Sequence, residues 1–588
     1  MRKLLSTLPQ LPKLLTALRW KVSTTLCPSR TRFMLLWAVV VGITGAYATT
    51  MFRQGIDLLQ RSFGPETTNF VEVAAQLSWQ AKVGFPTIGG LVAGFCLLIA
   101  RRQVAAGPVD YMEAVTVGTG VVPVGASIWR SLSSLFSIAS EGSIGREGPM
   151  VRLAALCSSA IGRFMQFEPS QLRMLVACGA AAGITSAYSA PIAAAFFVTE
   201  LVLGCMTMEW FGPILVSSGV ANITMRALPG YHPAYQMPTF PPVTGFEVLP
   251  FVAWGLICGV VAPRFLQLVA ASKTNFAKLP IPLPLRLALG GLLVGGISVW
   301  APEVWGNGYE TVNSLLHQPW TWVALTTILC LKVLATLATA GSGAVGGVFT
   351  PTLFVGAALG CLYGTAVNAL WPHMETAPFA FAIVGMGAFL AAATNAPLMA
   401  ILMIFEMTLS YEVILPLMLA SVIAYFVAKK SEHISMYEVT VRRGRANSDR
   451  ARLASLRICE LLKPAETVVD LNASVDEVTR IFLRHPVKHV YIVEENQNFR
   501  GVVTTESLIA ELALPVELRR KTVTEFVVTN FNLLTPDMTL SEALAMFLKF
   551  RGERLPVVEI EGETSKILGV VHKSALLDAY LRMDAASR

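Results

Sequence analysis

A glutamate at the start of a predicted helix lies in the apolar part of this chain, where its carboxylate could share a site with an anion. Glu147 follows Arg146 in the segment GSIGREGP, which ends at Pro149. A glycine-rich turn that leads into a proline-started helix presents free backbone N–H groups and the positive end of the helix dipole. Such a helix start binds an anion without a lysine. An ionised Glu147 could occupy the anion's position and vacate it when protonated, so Glu147 is a candidate gate.

A second glycine-rich turn repeats this pattern later in the chain. In GSGAVGGVFTP (341–351) the Gly-Ser start, the turn and the proline recur, so that Gly346–Pro351 corresponds to Gly145–Pro149. SAPIAAAFFVTE (189–200) likewise resembles NAPLMAILMIFE (395–406), and each has a glutamate nine residues beyond its proline. The two motif pairs occur in the same order, 202 and 206 residues apart, which predicts duplicated halves. Duplicated halves with broken helices at corresponding places indicate a transport site at the membrane midplane.

Two simpler interpretations stay open from the residues alone. Glu147 could merely cap its own helix, with Arg146 neutralising its charge. The similarity of the halves could also be a coincidence among Gly- and Ala-rich membrane segments. On the transport interpretation, the helix-start residues of the two turns are Gly145, Pro149, Gly341, Ser342, Gly343, Gly346, Gly347 and Pro351.

The composition places these motifs in a membrane protein. The 588 residues are 54% hydrophobic and 14% charged, whereas soluble proteins carry about 25% charged residues. Residues 1–32 hold seven Lys and Arg and no Asp or Glu, and 28% of residues 429–588 are charged, against 8% of residues 33–428. The chain therefore divides into a basic arm, a transmembrane domain and a soluble tail. Most of the net charge of +8 lies in the arm, as on a cytoplasmic flank, and no nucleic-acid partner is expected.

The transmembrane domain is predicted to be a bundle of helices of unequal length. One span needs about 20 apolar helical residues, and several uncharged runs exceed this length or contain Gly and Pro. Such breaks are tolerated only where they are buried in protein or line a cavity. We therefore predict an all-α polytopic domain of more than about ten helices, several of them interrupted. The uncharged runs are Phe33–Met51, Val83–Ala100, Met174–Thr199, Val333–Met374, Thr376–Phe405 and Val413–Ala428.

Other functional classes find little support in the sequence. The nine cysteines show no metal-ligand or disulfide spacing, and neither HExxH nor GxSxG occurs. We therefore predict no metal site and no enzyme. A membrane-anchored sensor built around the tail remains as an alternative of another class, and it would not require Glu147 or the two glycine-rich helix starts.

The soluble tail is a tandem repeat with an offset of 65 residues. SVDEVTRIFL (474–483) matches TLSEALAMFL (539–548), and KHVYIV (488–493) matches ERLPVV (553–558). Each unit is predicted as helix, strand, turn, strand and helix, because apolar 3.6-residue spacing is followed by β-branched runs. The tail is therefore predicted to be an α/β domain. The predicted boundaries along the chain are 1–32 (arm), 33–428 (transmembrane domain), 429–456 (basic linker), 457–515 (first tail motif) and 516–588 (second tail motif).

These motifs together resemble those of the CLC family of chloride channels and chloride/proton exchangers. GREGP (145–149), GNGYE (306–310), GSGAVGGVFTP (341–351) and the paired AP…E segments carry the resemblance, which extends over the transmembrane domain and the tail. VDYMEAV (109–115) is similar to the bacterial ClcB-like subgroup, and the tail resembles the CBS-domain pair at the end of many CLC proteins. The resemblance implies a homodimer with one anion pathway per subunit and with two inverted halves.

The resemblance also implies roles for particular residues. Glu147 would be the external gating glutamate. Backbone amides around Arg146–Gly148 and at Val348 and Phe349 would hold chloride. Tyr437 would donate its hydroxyl to the central chloride, although by itself it would be interpreted as an interfacial tyrosine.

Several family positions carry other residues here. Ala106, in AAGPVD, replaces a serine of the family's first motif, so one hydroxyl ligand of the central chloride is missing. Ser507 and Ala575 stand where an aspartate of a CBS pair contacts an adenine nucleotide. We therefore expect the tail to stabilise the dimer, and a nucleotide cofactor is the less favoured alternative.

The family's proton pathway is altered as well. Leu201 replaces the intracellular glutamate of the exchangers, and leucine cannot relay a proton. This favours a channel, with water-mediated proton coupling as the alternative. Glu200 and Glu406 occupy equivalent positions in the two halves, which favours a shared structural role.

We therefore expect chloride transport that is gated by Glu147 and opened by its protonation. Channel-like behaviour is favoured over chloride/proton exchange, other monovalent anions are alternative substrates, and a fluoride-specialised exchanger is a remote alternative. The expected location is the cell membrane, as a multi-pass protein of a bacterial inner membrane, with the arm and the tail in the cytoplasm.

Overall fold

The computed structural model contains two compact units, Met1–Val441 and Arg442–Arg588. The residues it describes are 30–61, 76–103, 110–116, 118–204, 206–228, 235–243, 245–371, 376–430, 435–437, 457–494, 497–513, 522–525, 527–550, 552–561 and 564–586. Ala106 and most of the predicted arm and linker lie outside the described residues. The first helix begins at Arg30, slightly before the predicted end of the arm.

Among its described residues the first unit contains helices and connecting segments but no strand, as predicted for an all-α polytopic domain. The helices differ widely in length, from six to 32 residues. They are α1 (Arg30–Arg61), α2 (Trp79–Arg102), α3 (Tyr111–Thr116), α4 (Val124–Ala139), α5 (Glu147–Phe164), α6 (Pro169–Tyr188), α7 (Pro191–Phe196), α8 (Met208–Ala227), α9 (Leu249–Ala277), α10 (Leu283–Trp300), α11 (Tyr309–His317), α12 (Trp322–Ser342), α13 (Phe349–Leu370), α14 (Pro378–Thr394), α15 (Pro397–Thr408) and α16 (Ile414–Lys429). A π-helical turn, Phe197–Leu203, continues α7.

Several of these helices are suited to crossing a bilayer. Among the described residues, six segments are long and apolar enough to span it, and shorter apolar helices accompany them. The unit is therefore a multi-pass membrane domain. The six segments are Phe33–Arg61, Trp79–Arg102, Gly245–Ala277, Leu283–Trp300, Trp322–Ser342 and Phe349–Leu370.

The long uncharged runs break at the same place in each half. In the first half, the C-cap of α6 is Ser189, whose φ is 60°, and α7 begins at Pro191. In the second half, the C-cap of α14 is Asn395, whose φ is 59°, and α15 begins at Pro397. A left-handed residue ends each helix, and proline at the start of the next needs no acceptor for an N–H group. The two halves share both the break and its local cause, as expected for the duplication.

Two glutamates cap helices of the opposite half at these breaks. The Glu406 carboxylate accepts hydrogen bonds from two N–H groups in the first turn of α7, at 3.0 and 2.7 Å. The Glu200 carboxylate accepts two from the first turn of α15, at 3.4 and 2.9 Å. Each half thus supplies a glutamate that caps the equivalent helix of the other half, and such reciprocal contacts indicate a two-fold relation between the halves. Both glutamates have the structural role expected from their positions. The donors are Ile192, Ala193, Leu398 and Met399.

Removing both caps should destabilise the membrane unit without altering its site. We expect the E200A/E406A variant to lose about 1–2 kcal/mol per cap, since each substitution leaves two first-turn N–H groups without an acceptor. The measurement is the thermal unfolding midpoint of the purified protein in detergent. E412Q, at an exposed glutamate, is the matched control and should unfold like the unmodified protein. An equal midpoint for E200A/E406A would contradict the capping role.

The second unit is an α/β domain, as predicted for the tail. Its five-stranded sheet has the order β1-β2-β3-β5-β4, in which β1 pairs with β2 in parallel and the other pairs are antiparallel. Helix, strand, strand and helix follow one another twice, which confirms the tandem repeat. The elements are β1 (Val468–Asp470), α17 (Val475–Arg484), β2 (His489–Glu494), β3 (Asn498–Thr504), α18 (Thr505–Leu512), α19 (Leu540–Lys549), β4 (Arg554–Glu561), β5 (Thr564–His572) and α20 (Lys573–Ala586).

Candidate functional site

The two glycine-rich turns of the membrane unit meet through their backbones. The N–H of Gly145 donates to the carbonyl of Gly347 at 2.7 Å, and the N–H of Gly347 donates to the carbonyl of Gly145 at 3.0 Å. This reciprocal bridge brings together the helix starts of α5 and α13, which begin at Glu147 and Phe349. The N–H groups of a first helical turn have no intrahelical acceptor. The first-turn N–H groups of α5 and α13 therefore surround the same small volume between the two helix starts.

The Glu147 carboxylate fills the space between these helix starts. Its side chain is buried, with 5% of the residue exposed. Oε1 accepts hydrogen bonds from the Tyr309 hydroxyl at 3.0 Å and from the Thr350 hydroxyl. Oε2 has no hydrogen-bond partner among the described residues. A Cβ on Gly145 would clash with this carboxylate, so the glycine makes room for it.

This geometry differs from a simple helix cap. The N-cap residue of α5 is Arg146, and no side chain caps the helix start. Instead of bonding to its own helix, Glu147 reaches across to α11 and α13. The Arg146 guanidinium lies over the Tyr309 ring, 4.9 Å from its centroid, and no ion pair joins Arg146 to Glu147 within the described part of the chain.

A cluster of hydroxyl groups surrounds Oε1 of Glu147. The Thr350 hydroxyl lies 3.3 Å from that of Tyr309 and 3.1 Å from that of Tyr188. The Tyr188 ring packs against Phe349, with centroids 5.1 Å apart. None of these three hydroxyls was predicted from the sequence as part of the site. Tyr309 lies in the GNGYE motif, which was the one available signal.

The other residues of the two turns differ in how close they lie to the carboxylate. Gly148 and Gly347 are at the centre, since a Cβ on Gly148 would lie 3.4 Å from the N atom of Gly347. Val348 is the N-cap of α13, and Pro149 and Pro351 lie in the first turns of their helices. By contrast, the first residues of GSGAVGGVFTP end the preceding helix, α12, or turn away from it. These are Gly341, Ser342 and Gly343, whose φ is 99°.

Two more predicted positions, Tyr437 and Leu201, lie at or beside the π-helical turn Phe197–Leu203. The Tyr437 ring meets Phe197 edge-on, with centroids 5.5 Å apart. Phe197 begins the π-helical turn that contains Leu201, which is 1% exposed. The N–H of Met436 donates to the carbonyl of Ala393 at 2.9 Å and so ties this segment to α14. The structure therefore places Tyr437 beside the turn of the altered proton position.

A buried lysine holds the loop that delivers Tyr309. Lys332, in α12, is 1% exposed, and its ammonium donates to the carbonyl oxygens of Val304 at 2.7 Å and Gly306 at 2.6 Å. The buried Glu141 accepts a hydrogen bond from Gln60 at 2.5 Å, and its backbone carbonyl accepts one from the N–H of Gly306 at 3.2 Å. The loop before α11 is thus fixed from two sides. The sequence contains no local signal for these contacts.

The tail has a cavity of its own with a basic lining. It encloses about 440 Å³ and is bounded by Lys488, His489 and Arg554, among others. Burial, and secondarily the Lys488 ammonium, lower the pKa of His489. The histidine therefore favours its neutral form, and the lysine and arginine supply the positive charge of the cavity.

The two altered tail positions have ordinary local surroundings. Ser507 forms a capping box with Thr504 at the start of α18, with the N–H of Ser507 donating to the Thr504 hydroxyl at 3.0 Å. Ala575 lies in the first turn of α20. Ser507 is therefore used to start its helix, and Ala575 offers no polar group.

Comparisons with known proteins agree with the architecture. The family model described as voltage gated chloride channel matches residues 88–429, and the CBS domain model matches residues 458–514 and 523–582. A protein of Ralstonia nicotianae described as a ClcB-like chloride channel protein is 51% identical over 427 residues, which are 72% of this chain and 100% of that protein.

Solved structures show the same fold. A slow cyanobacterial Cl⁻/H⁺ antiporter is similar with a TM-score of 0.62 and 24% identity, covering 71% of this chain and 99% of its own. A eukaryotic CLC transporter is similar with a TM-score of 0.58 and 16% identity, covering 93% of this chain and 99% of its own. Because the channel model matches more than half of the residues and the CBS model matches the tail twice, this chain belongs to the CLC family of voltage-gated chloride channels and carries a C-terminal pair of CBS domains.

Proposed function

We propose that the chain carries chloride across the membrane through one pathway in each subunit of a homodimer, with Glu147 as the gate. The observation that supports this most is the position of the Glu147 carboxylate, buried between two helix starts that attract anions. The proposed location is a bacterial inner membrane, with the N-terminal arm and the CBS tail in the cytoplasm. The proposed role of the tail is to stabilise the dimer.

The proposed gate works by competition between two anions. An ionised Glu147 occupies the place that chloride would take, because both are attracted by the same N–H groups and helix dipoles. A protonated Glu147 loses that attraction and leaves the place to chloride. Backbone donors hold chloride without a full positive charge, so that it can leave quickly. Acidification on the side that Glu147 faces should therefore increase the flux.

We favour a channel over a proton-coupled exchanger. Leu201 is buried and cannot carry a proton, and the neighbouring Glu200 is held by two backbone N–H groups of α15. The exchanger is the second candidate, because one solved protein with this fold is a Cl⁻/H⁺ antiporter. In that case, water would carry protons past Leu201.

Chloride efflux and external pH measured in the same proteoliposomes test this proposal. Under an imposed chloride gradient, we expect chloride flux that rises at acid pH, with no uphill proton movement. Uphill proton movement would contradict the channel hypothesis and support the exchanger. A protein ending at Val441 should still carry chloride, whereas a membrane-anchored sensor would show no chloride flux with or without its tail.

A further inference from the structure

We propose that the Tyr309 hydroxyl is the latch that holds the ionised Glu147 carboxylate in the closed position, and that it sets the pH at which the pathway opens. This inference rests on the proposed gating role of Glu147. Tyr309 acts through Glu147 and is therefore a positioning residue.

The hydrogen bonds to Glu147 are all made by one of its two oxygens. Oε1 accepts from Tyr309 at 3.0 Å and also from Thr350, whereas Oε2 has no hydrogen-bond partner among the described residues. A hydrogen bond to an ionised carboxylate is stronger than one to a neutral acid. The two hydroxyls therefore favour the charged, closed state and hold the gate less firmly once it is protonated.

The surroundings of Tyr309 hold its hydroxyl within hydrogen-bond distance of the Glu147 carboxylate. It is the first residue of α11, follows Gly308 at a φ of 94°, and is 8% exposed. Its ring contacts the Arg146 guanidinium, 4.9 Å from the centroid, and also the ring of Tyr235 in an edge-on arrangement, with centroids 4.9 Å apart. Lys332 fixes the loop that precedes it. The donor is thus in place before Glu147 arrives, and no ordering of the side chain is needed.

A group near Glu147 can contribute to the pH response only if its charge changes between acid and neutral pH. Four tyrosines interact electrostatically with Glu147, and two of them also interact with Arg146. The tyrosines are Tyr188, Tyr235, Tyr309 and Tyr437. Arginine and tyrosine do not change charge between acid and neutral pH. Asp57 of α1 interacts with Arg146, Arg53 and Arg61 and is a further carboxyl that is linked to the site through Arg146. Any response that comes from Asp57 would persist when Glu147 is removed.

The test is the pH profile of chloride efflux from proteoliposomes that contain the full chain. In Y309F the closed state loses one hydrogen bond to a charged group, so Glu147 protonates more easily. We expect the pH of half-maximal flux to rise by about one unit. T350V removes the other hydroxyl and should shift the midpoint in the same direction.

Y235F is the matched control, because the neighbouring Tyr235 is equally buried and its hydroxyl has no hydrogen-bond partner in the described part of the chain. Its midpoint should equal that of the unmodified protein. The E147A/Y309F double variant should behave like E147A, since the latch has nothing to hold. The latch alone would be overturned if Y235F shifted the pH of half-maximal flux as much as Y309F does. It would also be overturned if Y309F left this pH unchanged while the flux of E147A no longer depended on pH. An E147A protein that keeps its pH response would instead overturn the gate on which the latch rests.

Discussion

E147A should carry chloride at a rate that no longer depends on pH over the range in which a glutamate titrates. At neutral pH its flux should exceed that of the unmodified protein by about tenfold or more, because each pH unit above a titration midpoint lowers the protonated fraction tenfold. The physical reason is the position of the buried carboxylate between the two helix starts. Alanine leaves that place to chloride at every pH.

The measurement is initial chloride efflux from proteoliposomes at a series of external pH values. E147Q, which resembles the protonated form, should match the unmodified protein at acid pH. E200Q is the matched control within the membrane unit, since the Glu200 carboxylate bonds to backbone N–H groups of α15 rather than to the site. It should keep the normal pH response. A normal rise of E147A flux at acid pH would exclude Glu147 as the gate.

K332M should destabilise the membrane unit strongly. The Lys332 ammonium is buried, bonds to the carbonyl oxygens of Val304 and Gly306, and interacts electrostatically with the buried Glu141. Methionine would leave these acceptors without their donor. Leaving a buried acceptor without a hydrogen-bond partner costs about 1–3 kcal/mol. We expect a large loss of monodisperse protein and, in the remainder, a pH of half-maximal flux that is raised as in Y309F, because the loop that carries Tyr309 is no longer held.

Two variants separate this explanation from a general sensitivity to lysine removal. K278M, at an exposed lysine, should give normal yield and a normal unfolding midpoint in detergent. K332M/E141Q should give the same low yield as K332M, because the hydrogen bonds to the carbonyl oxygens of Val304 and Gly306 are still absent. A K332M protein as stable as the unmodified one would show that the buried ammonium does not hold the loop.

The helix starts of the site could be predicted from the sequence because their causes are local. Gly145–Pro149 and Gly346–Pro351 each combine a glycine-rich turn with a proline, and those residues by themselves favour a turn and then a helix. The breaks before Pro191 and Pro397 follow from the same local rule. Even the tandem repeat of the tail could be predicted, since it is visible as a fixed offset between similar segments.

Only the tertiary structure determined which groups meet. Glu147 contacts Tyr309 and Thr350, which lie 162 and 203 residues further along the chain. Many other hydroxyls occur in similar apolar surroundings, so residue type alone could not single these out. The repeat identified Glu200 and Glu406 as equivalent. That each of them caps a helix of the other half is evident only from the tertiary structure. The preference for a turn or a helix depends on a few neighbouring residues, whereas a contact between helices depends on how all of them pack. For this reason the sequence determined the fold class and the helix starts, and the tertiary structure decided the partners of the gate.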